Sequence, residues 1–350
     1  MTVNRCDKVW GIVTPKRFFN PSGDVEVGGI SLDGLLSVMY GLKDRLAECG
    51  IDLVHYSEVV PDKADGYIFF DYQSDVLNRI KRSNFGGALF LYVMESELVS
   101  PDNWMESKHS DFDVVFTWDM RELPRLKKPK YVRYFWPNDF SRRLPPLSFS
   151  ERKKLCVMVA TNKWKRRPKE LYTARFEAIR WFMKKHPDDF DLYGYDWHYS
   201  FPSRIVEFFR NCLRSVAGKK TRPLDVSSVY RGPAGDKRKT LSEYRFCICY
   251  ENGEDMPGYI TEKIFDCFVS GVVPVYLGWE DVSRSIPEDS FVDMRRFESY
   301  EELYRFLGAI DEDSFEGYLA AARRFLDSEE GRKFDFRGTV SIIAEEILSL

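Results

Sequence analysis

Apolar residues recur in two registers along this chain, and the alternation of the two divides it into strands and helices. Between 30 and 49, Leu32, Leu35, Leu36, Met39, Leu42 and Leu46 fall at helical spacing, with Gly50 placed to stop the helix. Short apolar runs at 52–55, 66–71, 88–94, 114–118 and 130–135 predict five strands. Periodicity then fades over 137–154, where three prolines, Arg142, Arg143, Ser148 and Ser150 predict a linker. Beyond it the plan repeats. Strands are predicted at 155–160, 190–193, 245–250 and 272–277, and helices at 169–185 and 262–270, while Ser299 to Glu302 has the capping-box pattern that opens another helix. Strands alternating with helices predict parallel sheets covered on both faces. The fold class is therefore α/β, as two Rossmann-like domains at 1–148 and 149–350, the second ending in helices. Two such domains face a cleft at the carboxyl ends of their strands.

Composition narrows the function without choosing it. The 350 residues exceed one ordinary core and suit two. With 52 basic against 55 acidic side chains the net charge is −3, a balance that argues against a dedicated nucleic-acid binder. Cys6, Cys49, Cys156, Cys212, Cys247, Cys249 and Cys267 show no C-x-x-C spacing, and those in apolar runs read as small core residues of a reducing compartment. Neither a signal peptide at the start nor an 18-residue apolar span is apparent, so the expected location is cytoplasmic.

The densest chemistry lies between Tyr244 and Gly278, a strand, an acidic turn-rich loop at 251–258, a helix, a glycine stop and a strand. Thr261 is placed to cap the helix, whose N-terminus would suit a pyrophosphate. Lys263 in the first turn opposes the helix dipole, which makes sense if an anion arrives there. Glu262 could accept hydrogen bonds from a sugar or ribose hydroxyl. The plain alternative is a surface helix with both charges solvated.

The order of these residues resembles the C-terminal signature of the α-1,3-fucosyltransferases, glycosyltransferase family 10. There a strand ending in Phe-Glu-Asn leads to Tyr-Val-Thr-Glu-Lys, a helix, a glycine and a Val-Pro-Val strand. The counterparts are Tyr250-Glu251-Asn252, Tyr259-Ile260-Thr261-Glu262-Lys263, Gly271 and Val273-Pro274-Val275. Pro287 to Phe291, Asp236-Lys237 and Leu241 to Phe246 extend the similarity, which covers about 230–305. More weakly, Asn162 after a strand and Arg175 on the next helix match a donor-diphosphate pair of the family. A guanidinium can grip two phosphate oxygens at once. The resemblance implies a GT-B-type architecture and an inverting transfer of L-fucose from GDP-fucose to a hydroxyl of a glycan. It implies donor contacts from Asn162, Arg175, Lys237, Asn252, Tyr259, Thr261, Glu262 and Lys263. It also implies a Glu base after an N-terminal-domain strand, in a Glu-Ser-Pro-like setting. Glu95, with Ser96 beside it, fits best, and Glu97 is the competitor.

With Arg and Lys on the leaving diphosphate, no cofactor and no essential divalent metal is expected. Asp111-Phe-Asp113 and Asp189-Phe-Asp191 have the Asp-x-Asp pattern of manganese-binding transferases, but both pairs precede strands and read as element starts. The four histidines lack metal-ligand spacing. Five basic residues crowd 163–169 around Trp164, and 203–220 is an apolar stripe flanked by basic residues. That stripe would pack on the donor domain or touch the inner face of an anionic membrane. The alternatives are a transferase of another nucleotide-activated sugar, or a non-catalytic nucleic-acid or membrane-surface binding module on the same fold.

Overall fold

A computed structural model describes residues 8–19, 33–119, 121, 128–152, 154–165, 167–197 and 224–350. The stripe at 203–220 lies outside the described residues. Two wholly parallel sheets form. The first has six strands in the order β2-β1-β3-β4-β5-β6, which are Ile51–His55, Lys8–Val13, Gly66–Phe70, Ala88–Tyr92, Val114–Thr117 and Lys130–Arg133. The second has five in the order β11-β10-β9-β7-β8, which are Val292–Asp293, Val273–Leu277, Tyr244–Tyr250, Lys154–Val159 and Phe190–Tyr193. Strand order reverses between β1 and β3 and again between β7 and β9. In parallel sheets such switch points open crevices at the strands' carboxyl ends.

The nine strands read from the pattern are all present, with ends moved by at most two residues. Strand β1, between β2 and β3 in the first sheet, was not among them, nor was the two-residue β11. The β1 run is interrupted by Gly11, which a purely apolar pattern passes over. The interruption has a physical reason, since a Cβ at Gly11 would fall 2.2 Å from the Tyr67 ring on β3. The helix expected from 169 runs instead from Tyr172 to Lys185, because Lys169 takes a left-handed backbone at φ 63°.

Helix Asp33–Glu48 stops at Gly50, whose φ of 76° a glycine adopts freely. Its buried Val38, Met39, Leu42 and Leu46 share a core with Val340, Ile343, Ala344 and Ile347 of the last helix, Phe336–Leu348. The chain therefore crosses back to the first sheet at its end. Tyr259, from the second sheet's side, is buried in this same core. Among the described residues, no helix is long and apolar enough to cross a membrane.

Candidate active site

The upper wall of the cleft grows from the carboxyl ends of β3 and β4. Asp71 follows β3 with a left-handed backbone, φ 65°, which swings its carboxylate beneath the loop after β4. One oxygen, Oδ1, accepts from the backbone N–H of Met94 (2.7 Å) and Glu95 (3.1 Å) and from Asn103 Nδ2 (2.6 Å). The carbonyls of that loop are gripped as well. Trp118 Nε1 donates to Met94 O and Trp104 Nε1 to Glu95 O, each at 2.9 Å, and the Tyr134 hydroxyl donates to Val93 O. Glu95 is thus fixed through its own backbone. Its half-buried carboxyl lines the cleft, where desolvation, then the Asp71 carboxylate, lift its pKa to about 7 against the opposing pull of Lys163 and Lys263.

The lower wall is held by side chains. Glu251, fully buried after β9, accepts from the Thr261 N–H and hydroxyl at 2.8 Å each and from Lys263 Nζ at 3.0 Å. Burial alone would depress the Lys263 pKa, but the Glu251 and Glu262 carboxylates overrule it and hold the ammonium charged. The same balance keeps Glu262 ionised, because Lys263 and Lys237 outweigh its desolvation. Lys237 pairs with the buried Asp266. Arg175 is buried, donating to Tyr250 O (2.6 Å) and Asn252 Oδ1 (3.1 Å), and Asn252 in turn donates to the Tyr259 hydroxyl.

Two expectations change here. Thr261 is the N-cap residue of helix Glu262–Ser270, yet its hydroxyl makes no cap bond and is committed to Glu251 and Lys263. Lys263 does not wait as an isolated cation opposing the dipole. Its buried partner Glu251 explains why a lysine is tolerated in the first turn.

Of the residues singled out from sequence, Glu95, Arg175, Lys237, Asn252, Tyr259, Thr261, Glu262 and Lys263 line one cavity. Two do not. Asn162 is buried, with its N–H on Tyr195 O, while its neighbours Thr161 and Lys163 reach the cavity. Glu97 is exposed and faces a different hollow. The Asp-x-Asp pairs are otherwise engaged. Asp191 is inside β8 rather than before it, buried against Lys154, Arg231 and the Tyr244 hydroxyl. Asp189 accepts from Tyr304, Asp111 pairs with Lys81, and Asp113 accepts from the Leu89 N–H. Among the described residues no group of three or more His, Cys, Asp or Glu is arranged to hold a metal. Asp71, Asn103, Trp104 and Trp118 were missed, and an Asp closing an apolar strand was the one sequence signal for the first of them.

Residues 211–323 match the model of the glycosyltransferase family 10 (fucosyltransferase) C-terminal region. The α-(1,3)-fucosyltransferase FucT of Helicobacter pylori is 35% identical over 72 residues, which is 21% of this chain and 15% of that protein, so the chain spans well under two thirds of that relative's length. A crystal structure of α1,3-fucosyltransferase with GDP-fucose superposes with a TM-score of 0.54 at 16% identity, covering 96% of this chain and 89% of the other. Sucrose-phosphate synthase from Thermosynechococcus elongatus superposes at 0.58 with 10% identity over 98% of both chains. The chain has the two-sheet fold of the GT-B glycosyltransferases, and in the segment that builds the lower wall it resembles glycosyltransferase family 10.

Proposed function

We propose that the protein transfers L-fucose from GDP-fucose to a hydroxyl of a glycan with inversion at the anomeric carbon. One observation carries the reading. A carboxyl with a raised pKa, Glu95, shares a cleft with Arg175, Lys163 and Lys263, although the two walls grow from different sheets. The match to a fucosyltransferase family model supports fucose as the sugar, and the fold shared with a GDP-fucose complex supports the nucleotide.

The chemistry follows from those groups. Glu95 takes the proton from the acceptor hydroxyl as its oxygen bonds to the anomeric carbon. The bond from that carbon to the β-phosphate oxygen breaks, and GDP leaves with the electron pair. Arg175 and Lys263 stabilise the charge gathering on the diphosphate, as fixed cations in a partly dry site do best. The Glu95 carboxylate also faces the positive charge that builds on the sugar ring. Glu262 and Asn252 can accept from sugar or ribose hydroxyls, and the buried Tyr259 ring walls the cleft.

With cations already on the leaving group, the reading assigns no essential role to a divalent metal. Chelators are expected to leave substantial activity, and complete loss restored only by manganese would contradict this. The donor is tested by thermal shift against GDP-, UDP-, CDP- and ADP-sugars without metal. GDP and GDP-fucose are expected to raise Tm, since a ligand bound only to the folded state stabilises it. A response to UDP-sugars alone would overturn the assignment.

A further inference from the structure

Among the described residues, four cations line the Glu95 cavity, and the transfer chemistry above uses two of them. Three of the four are held by partners within the protein: Lys237 by Asp266, Lys263 by Glu251, and Arg175 by Tyr250 O and Asn252. The fourth, Lys163, has no hydrogen-bond or ion-pair partner for its ammonium among the described residues. We propose that Lys163 is a further catalytic residue, whose ammonium meets the β-phosphate oxygen of the leaving GDP beside the base. The proposal rests on the transferase reading.

The loop after β7 carries Lys163 between anchors on opposite walls. On the second sheet's side, the Asn162 N–H donates to Tyr195 O at 2.9 Å. On the other, Lys165 Nζ donates to Leu98 O at 2.7 Å and Val99 O at 3.2 Å, in the segment that continues from Glu95. Lys163 itself sits in a tight turn, its N–H on Thr161 O at 2.8 Å. Tied at both ends, this backbone stays beside the Glu95 loop.

The basic run at 163–169 thereby divides its tasks. Lys165 clasps the opposite wall, Lys169 pairs with Asp255 at 3.2 Å, and Arg167 lines a separate hollow. Of the described members, only Lys163 shares a cavity with Glu95, Arg175 and Lys263.

The charges place the ammonium near the reacting groups. Desolvation lowers the Lys163 pKa, and Glu95 is the nearest charge in effect opposing it, with Lys263 and Arg175 acting from the other side. A cation stripped of water and left unpaired is costly, and such groups gather where a ligand supplies the missing charge. A diphosphate supplies it. Lys263 and Arg175 already spend donors on the protein, whereas the three N–H donors of Lys163 remain available. As the sugar–oxygen bond breaks, its electron pair passes to the β-phosphate oxygen. Lys163 donates a hydrogen bond to that oxygen and keeps its own proton, while Glu95 holds the proton of the acceptor.

The same ammonium acts on Glu95 in the free protein. The groups that face this carboxyl are Asp71 after β3, Glu262 and Lys263 on helix Glu262–Ser270, the neutral Tyr259 hydroxyl, and Lys163 and Lys165 on the loop after β7. Lys163 leads the cations that hold its pKa down. Removing Lys163 therefore leaves Glu95 protonated to higher pH.

The test measures GDP and GMP binding by calorimetry, and transfer from GDP-fucose across pH, in the parent, Lys163→Met and Lys163→Arg. GMP lacks the β-phosphate. Lys163→Met is expected to weaken GDP binding about tenfold, the scale of one lost charged hydrogen bond, with GMP affinity and Tm unchanged. Its turnover should fall roughly 10²-fold. The acid limb of kcat/KM for the donor, which reports the free protein, should move to higher pH. Lys163→Arg keeps the charge and should leave the limb in place. Equal weakening of GDP and GMP, an unmoved limb in Lys163→Met, or parental turnover in that variant would overturn the assignment while leaving the donor reading intact. A parent that binds no nucleoside diphosphate would remove the transferase reading, and the role of Lys163 with it.

Discussion

The two walls of the cleft hold their functional groups by opposite means. Above, Glu95 is positioned through its backbone, with Asp71, Trp104 and Trp118 gripping the loop's N–H and C=O groups and leaving its carboxyl for chemistry. Below, Glu251, Thr261 and Lys263 bind one another by side chains, and Arg175, Asn252 and Tyr259 form a second such set. A backbone grip leaves a side chain able to change protonation, whereas an interlocked network keeps every charge fixed. The first arrangement suits a group that must take up a proton, and the second suits cations that must stay charged.

The comparison breaks most readily at Glu251. Replacing it with Ala strands Lys263 and Thr261 beside a buried hole, a loss of about 3–5 kcal/mol on the scale of buried pairs deprived of one member. Denaturant unfolding would measure it, and an unchanged midpoint would show that the lower wall is not interlocked. Next in size are Lys263→Ala and Arg175→Ala. Each is expected to lower turnover by roughly 10²–10³ with the fold retained, as for lost charge stabilisation of a leaving group. Near-parental turnover in both would remove the lower wall from the reaction.

These contrasts also explain what could be read from sequence. Much of the lower wall was legible because Tyr250 to Lys263 follow one strand–loop–helix as a continuous run, while Arg175 and Lys237 join it from two other helices. Glu95 was legible only as one of two candidates two residues apart. The loop geometry that turns Glu95 into the cleft and Glu97 out of it comes from Asp71, Asn103, Trp104 and Trp118, which are dispersed over 47 positions and share no motif. Strand β1 was lost to a glycine whose purpose, room for the Tyr67 ring, exists only in three dimensions. The partners of Lys263 escaped for a similar reason, since helix propensity cannot anticipate a buried carboxylate from the preceding strand end.

A smaller effect sharpens the comparison at the upper wall. Asp71→Asn keeps an oxygen for the loop's N–H groups but removes a charge that raises the Glu95 pKa. The acid limb of kcat/KM should move to lower pH, with transfer reduced about tenfold by the weakened grip and GDP affinity unchanged. A purely structural role would lower activity without moving the limb.

The most direct measurement is Glu95→Gln, assayed for GDP-fucose binding by calorimetry and for transfer across pH. In the parent, the base is competent only when ionised, so transfer should rise as pH passes about 7 and level off above it. Because folding raises this carboxyl from 4.5 to about 7, the folded state holds the proton more tightly, and stability falls as pH rises through that window. The variant, free of that burden, should melt no lower than the parent at pH 8. It should bind GDP-fucose as the parent does, lose roughly 10²–10⁴ in transfer above pH 7, and no longer show the parent's rise through that pH. A variant that still transfers, or a Glu97→Gln protein that is dead in its place, would contradict the assignment of Glu95 as the base on which this account turns.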